Sequence, residues 1–195
     1  MQRKLDLLLR VLKGIMTEDL LRYTDLPVQE RLYIEDIDSF KRVRDVNPEA
    51  VHAHLHDGYL NLSEDGVQIA LEQTLNEPMH KKDWGGEQND LYTSNLLVNA
   101  ARTPTAFVLK GNGLKSKVMQ IADCGKNGDQ LVRLFQSPAQ LFIVQFVGNI
   151  SESLIADLEG KVRDLRSKCV RANYCTINGQ DTARLLYAYG KLNRI

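Results

Sequence analysis

Three carboxylates and one lysine near the middle of this chain have the types and spacing to do chemistry. Asp83, Glu87 and Asp90 lie in a polar, glycine-containing loop, Lys81-Lys82-Asp83-Trp84-Gly85-Gly86-Glu87-Gln88-Asn89-Asp90. Lys110 closes the apolar run Thr105-Ala106-Phe107-Val108-Leu109, with Gly111 and Gly113 just after it. Glycines there let a backbone or a ligand come close. Carboxylates suit a hard cation such as Mg²⁺, which takes one or two of them and keeps several waters. The ion orients a water, lowers its pKa and stabilises phosphate oxygens. A nearby ammonium neutralises the charge that builds as a phosphodiester is attacked. Two acids and a lysine at adjacent strand mouths are about the minimum set for that work. The plain alternatives are turn-forming carboxylates and a strand-end lysine reaching for water.

A set like this needs a scaffold, and the chain has the means to build one. Its 195 residues suffice for one good core, or a core with a small helical appendage. Hydrophobic residues at 43% and charged residues at 26% argue for a globular protein and against disorder. Lysine plus arginine equals aspartate plus glutamate, 25 each, so bulk charge does not advertise nucleic acid. A nucleic-acid site must therefore be a local patch, and neutrality makes a homo-oligomer plausible. Cys124, Cys169 and Cys175 are odd in number and match no zinc spacing, which reads as reduced thiols in a cytoplasmic protein. The start, Met1 to Leu12, is interrupted by Asp6 and Arg10 and reads as an amphipathic helix rather than a signal peptide. No run approaches the roughly 20 apolar residues of a membrane span.

Residues 1–62 read as a mostly helical N-terminal region, and residues 63–195 as an α/β core. Leu5, Leu8, Leu9, Leu12 and Ile15 keep helical spacing, and such helices offer a surface for a protein partner or a second copy. Ile34, Ile37 and Val43 line one stripe of a charged helical segment that Asn47-Pro48 closes. Ser63 opens a helix that runs to Pro78. Leu91–Val98 and Thr105–Lys110 form a hairpin around a turn at residues 99–102. Gly128–Phe135 is a helix, and Leu141–Val147 is a strand apolar enough to be central. Ser151 starts a long helix to Lys168, followed by a strand at Tyr174–Ile177 and a last helix at Asp181–Tyr189. Strand, helix, strand implies a parallel pair. The expected architecture is thus a mixed central sheet, an antiparallel hairpin feeding parallel strands, flanked by helices.

From residue 63 the order is helix, acidic loop, strand, strand, helix, strand. With these residues in it, the order resembles the core of the PD-(D/E)XK, or restriction-endonuclease-like, nuclease superfamily, over roughly residues 63–150. The resemblance makes Asp90 the first acid and Lys110 the motif lysine. It makes Glu72 the acid many members carry on the preceding helix, and Gln130 the glutamine some carry on the following one. It implies Mg²⁺ or Mn²⁺ as cofactor and DNA as substrate. The chain departs from the family at Val108, where a second acid should precede the lysine by two residues. Either another carboxylate replaces it, with Glu87 the natural substitute and Asp83 the next, or the site is inactive. On the first reading Glu87 and Asp90 hold the metal. On the second the chain is a DNA-binding or assembly module on a nuclease fold.

Other motifs have a structural and a functional reading each. Gly125-Lys126-Asn127-Gly128-Asp129-Gln130 precedes a helix whose free N–H groups suit a phosphate. Its plain reading is a polar helix start with Asp129 complementing the dipole. Lys115, Lys117, Lys126 and Asn127 together make a basic edge suited to a DNA backbone. Trp84 either anchors its loop or stacks on a base. His52, His54 and His56 would share a face on a strand and could bind zinc, but Pro48 favours exposed helical histidines. Asp181 is expected to cap the last helix, at a strand end where ligands bind in α/β proteins.

Overall fold

Thr105–Lys110 and Leu141–Val147 are too apolar for a half-exposed strand and must be covered on both faces. The computed structural model, which describes residues 29–78 and 88–192, covers both. In chain order the strands are β1 (Arg31–Leu32), β2 (Leu55–His56), β3 (Tyr59–Leu60), β4 (Leu91–Thr93), β5 (Leu97–Val98), β6 (Ala101–Arg102), β7 (Thr105–Lys110), β8 (Val118–Met119), β9 (Leu141–Phe146), β10 (Asn149–Ile150) and β11 (Asn173–Ile177). The α-helices are α1 (Glu64–Leu75), α2 (Asp129–Leu134), α3 (Glu152–Ser167) and α4 (Gly179–Ala188). Short 3₁₀ helices span Ile34–Asp36, Asp38–Asp45, Pro48–His54, Ile121–Asp123 and Lys126–Gly128.

The central sheet has five strands in the order β1-β11-β9-β7-β4. Four run parallel, and β4 alone is antiparallel, paired to β7 at one edge. β9 is the middle strand and all six of its residues are buried. Alternate side chains of β9 meet different helices, as a two-residue period requires. Phe135, just after α2, stacks on Phe142 with ring centroids 4.3 Å apart. On the other face Gln145 donates from Nε2 to Thr182 Oγ1 of α4 at 3.0 Å. Phe107, Phe142 and Phe146 are wholly or almost wholly buried. Burial of such a side chain stabilises by roughly 1.5–3 kcal/mol.

Caps set where the helices begin. Ser63 Oγ accepts from Gly66 N at 3.1 Å, and Ser151 Oγ accepts from Leu154 N at 3.4 Å. The last helix corrects an expectation: its N-cap is Asn178, whose Oδ1 accepts from Asp181 N at 2.9 Å. Asp181 sits in the first turn instead and pairs with Arg184.

Two further readings change. The strand expected over Leu91–Val98 is broken, because Thr93 Oγ1 accepts from Asn95 N at 3.0 Å and bends the chain. β5 then pairs with β6 across Asn99 and Ala100, whose φ values of 50° and 61° make a tight left-handed turn. The charged segment after Leu32 is helical but of the 3₁₀ kind, with Ile34, Ile37, Phe40 and Val43 buried. It belongs to the same buried core as β9, and β1 is an edge strand of the central sheet. The amphipathic pattern at residues 5–15 lies outside the described residues. Among the described residues no helix is long and apolar enough to cross a membrane.

Candidate active site

Asp90 directly precedes β4, and antiparallel pairing brings it to the end of β7. Its backbone N donates to Phe107 O at 2.9 Å. Its Oδ2 accepts from Leu109 N at 2.7 Å, which pins the carboxylate beside the strand. Lys110 Nζ lies 4.0 Å from that same Oδ2. Gln130, in the first turn of α2, donates from Nε2 to Asp90 Oδ1 at 2.8 Å and Oδ2 at 3.0 Å. Gln130 is only 7% exposed, and its Oε1 is buried with no hydrogen-bond partner among the described residues.

Glycines allow this crowding. Gly125 has φ +75°, and a Cβ there would fall 2.3 Å from Asp129 Oδ1 and 3.0 Å from Gln130 Cβ. Gly111 matters more. A Cβ on it would fall 2.0 Å from Glu64 N, so only glycine lets the end of β7 abut the start of α1. That contact brings Glu64 Oε2 to 3.2 Å from Lys110 Nζ. A cleft of about 310 Å³ opens here, lined by Ser63, Glu64, Asp65, Lys110, Asn112 and Leu114 among others.

The structure thus brings together Asp90, Lys110 and Gln130 of the residues expected from sequence. Glu72 stands eight residues beyond Glu64 on α1, roughly 12 Å further along the axis. It is buried and accepts from Gln68 Nε2 at 2.9 Å. The helical acid that reaches Lys110 is therefore Glu64, which sequence reasoning missed. Glu87, Asp83 and Trp84 lie outside the described residues. Val108 is fully buried beside Val144 of β9, so position 108 serves the core.

Cys124 lies near this site. Burial pushes its thiol up to about 12, against the pull of the Lys110 charge, with Asp123, Asp157 and Asp90 adding to the rise. It is protonated at neutral pH and is no nucleophile. Lys115, Lys117, Lys126 and Asn127 are all exposed. Lys117 Nζ holds Asp57 at 3.0 Å, and that hydrogen bond and charge, with a smaller contribution from His56, keep the Asp57 carboxyl below its usual range. The basic edge is therefore partly neutralised. His52 and His54 lie on a 3₁₀ helix and His56 on β2, all three exposed.

Among the described residues no group of three or more His, Cys, Asp or Glu gathers in a metal-holding arrangement. Mg²⁺ needs fewer, because one or two carboxylates with waters satisfy it. Asp90 and Glu64 both place a carboxylate oxygen within 4.0 Å of the Lys110 ammonium, while Gln130 turns its Nε2 rather than its Oε1 toward Asp90. This all-oxygen donor set fits a hard divalent cation and does not fit zinc. Compared with protein-family models, curated proteins and solved structures, the chain matches none.

Proposed function

We propose that this chain is a metal-dependent, nuclease-like protein that hydrolyses phosphodiester bonds in DNA on a restriction-endonuclease-like core. The convergence of Asp90, Lys110 and Gln130 from three separate elements carries the reading. The single antiparallel edge strand, with an acid at its mouth and a lysine at the end of its neighbour, supports it further. Asp90 would hold Mg²⁺ or Mn²⁺, which when bound would supply a polarised water and neutralise phosphate oxygens. Lys110 would stabilise the charge that builds on the attacked phosphate. Gln130 fixes the plane of the Asp90 carboxylate. Lys115, Lys117, Lys126 and Asn127 meet the DNA backbone through charge and hydrogen bonds rather than base readout. Restriction, phage defence and repair in the cytoplasm all suit such an activity.

One observation favours a second reading, a catalytically inert DNA-binding or assembly module. The residue two before the lysine is a fully buried valine rather than an acid. Plasmid cleavage with Mg²⁺ or Mn²⁺ decides between the two. Wild type should cut, and Asp90→Ala and Lys110→Ala, shown to be folded by their melting curves, should each lose at least about a hundredfold in rate. If wild type cuts no plasmid, linear or single-stranded DNA, nor RNA, the inert module is the better description.

A further inference from the structure

We infer that the groove between α2 and α3 is the docking seat for the chain's own leucine-striped segment, residues 4–15. The inference is independent of the nuclease reading. The groove measures about 540 Å³, and Val132, Phe135, Ala156, Gly160 and Leu165 give it an apolar lining. Val132 is a large apolar side chain left 52% exposed. The α3 wall is one stripe of the helix. From Ala156 to Leu165 it runs nearly three turns, roughly 14 Å. A Cβ on Gly160 would meet nothing within 4 Å, so the middle of that stripe is open to a close approach.

The point where the chain enters the described fold identifies the occupant. Gln29 O accepts from Arg166 Nη2 at 3.1 Å and from Asn173 Nδ2 at 2.7 Å. Glu30 pairs with Arg163 at 3.0 Å. Both arginines stand on α3 beside Leu165, so the chain joins the fold at one end of the groove. Residues 16–28 link Ile15 to Gln29, and such a length reaches up to roughly 45 Å, well beyond the seat. A tether of this kind holds its segment at roughly millimolar local concentration, so a small seat suffices. A second copy lacks that help, and a lasting dimer contact buries roughly 800 Å² on each side. The segment also fits by pattern. At helical spacing Leu5, Leu8, Leu9, Leu12 and Ile15 share one face roughly 15 Å long, with Lys4 and Lys13 on its two flanks. The groove carries Asp157 and Asp164 beside its apolar residues. Their partners, Lys161 at 3.3 Å and Lys168 at 2.6 Å, are one turn away on the same helix, and weak pairs of that kind admit a second cation.

Limited trypsin digestion of the full-length protein tests the seat from both sides. Gly160→Gln has room to fold and replaces a poor helix former, but its side chain stands in the groove. Leu8→Asp with Leu12→Asp spoils the stripe instead. With near-ultraviolet circular dichroism unchanged, each variant should be cut after Lys13 at least about tenfold faster than wild type. A diazirine-bearing lysine analogue in place of Lys13, activated by light, should be captured on residues 132–136 or 156–165 of the same chain, at a yield independent of protein concentration. An unchanged cutting rate in either variant overturns the inference. So does capture elsewhere or no capture at all. Capture between two chains that grows with concentration also overturns it and assigns the groove to a second copy.

Discussion

Arg184 and Lys110 are both cations with little exposed side chain, 12% and 15%, yet their surroundings differ in kind. Arg184 donates from Nη1 to Glu35 at 2.7 Å and Asp181 at 2.9 Å, and from Nη2 to Val43 O at 3.1 Å. Its Nε reaches Val46 O at 3.4 Å. All three nitrogens are engaged, and they stitch α4 to the 3₁₀ helices before it. Lys110 has longer contacts, at 3.2 Å to Glu64 and 4.0 Å to Asp90, and faces a cleft. A planar guanidinium fork suits a fixed joint, whereas an ammonium is a point charge that can change partners. The contrast separates a cation fixed into the fold from one with looser contacts at the edge of a cleft.

The strongest way to break that contrast is to delete both cations. Arg184→Ala leaves two acids and two carbonyls short of a donor in a part-buried place and should cost about 3–5 kcal/mol. Lys110→Ala should cost less than about 1 kcal/mol and, on the proposed nuclease reading, abolish cleavage. Urea unfolding of the two variants checks this, and equal losses would erase the distinction. A smaller effect sharpens it. Gly111→Ala places a methyl against the α1 backbone and should destabilise by about 1–3 kcal/mol. Gly113→Ala meets nothing within 4 Å and should change stability by less than about 0.5 kcal/mol. The smallest effect concerns pH. Burial raises the pKa of Asp181 more than Arg184 lowers it. The folded chain then holds a proton at pH values where the unfolded chain has released it. Between the ordinary carboxylate range and that raised value, Asp181 makes stability fall as pH rises. Asp181→Asn should remove that slope from unfolding midpoints measured across the acidic range, and an unchanged slope would show that burial does not dominate there.

The fold was more legible than the site, for physical reasons that particular residues show. Leu141–Phe146 declares a central strand by composition, since a residue buried on either face must be apolar. Ser63 and Ser151 declare helix starts, because a hydroxyl there satisfies a free N–H. Asn178 and Asp181 are both good capping types three residues apart, and pattern alone could not choose between them. Asp90 and Lys110 were legible because antiparallel pairing joins neighbouring segments. Glu64 was not. Its place after a serine cap explains it as an acid at a helix start, and its contact with Lys110 spans 46 residues. Helical periodicity gives the face on which an acid lies but not its depth along the axis, so Glu72 and Glu64 look alike in sequence. The signal that could have found Glu64 is Gly111, because a residue with a side chain could not stand against the start of α1.

The outer strands of the central sheet carry a consequence for life in a crowded solution. One flank of that sheet is two residues long and the other three. A β-sheet flank with many unpaired N–H and C=O groups is a template on which a neighbouring chain can zip. Flanks this short offer too few successive groups for a foreign strand to gain a register. Short flanks, one of them carrying Arg31, keep the most apolar strands in the middle of the sheet and away from an incoming strand.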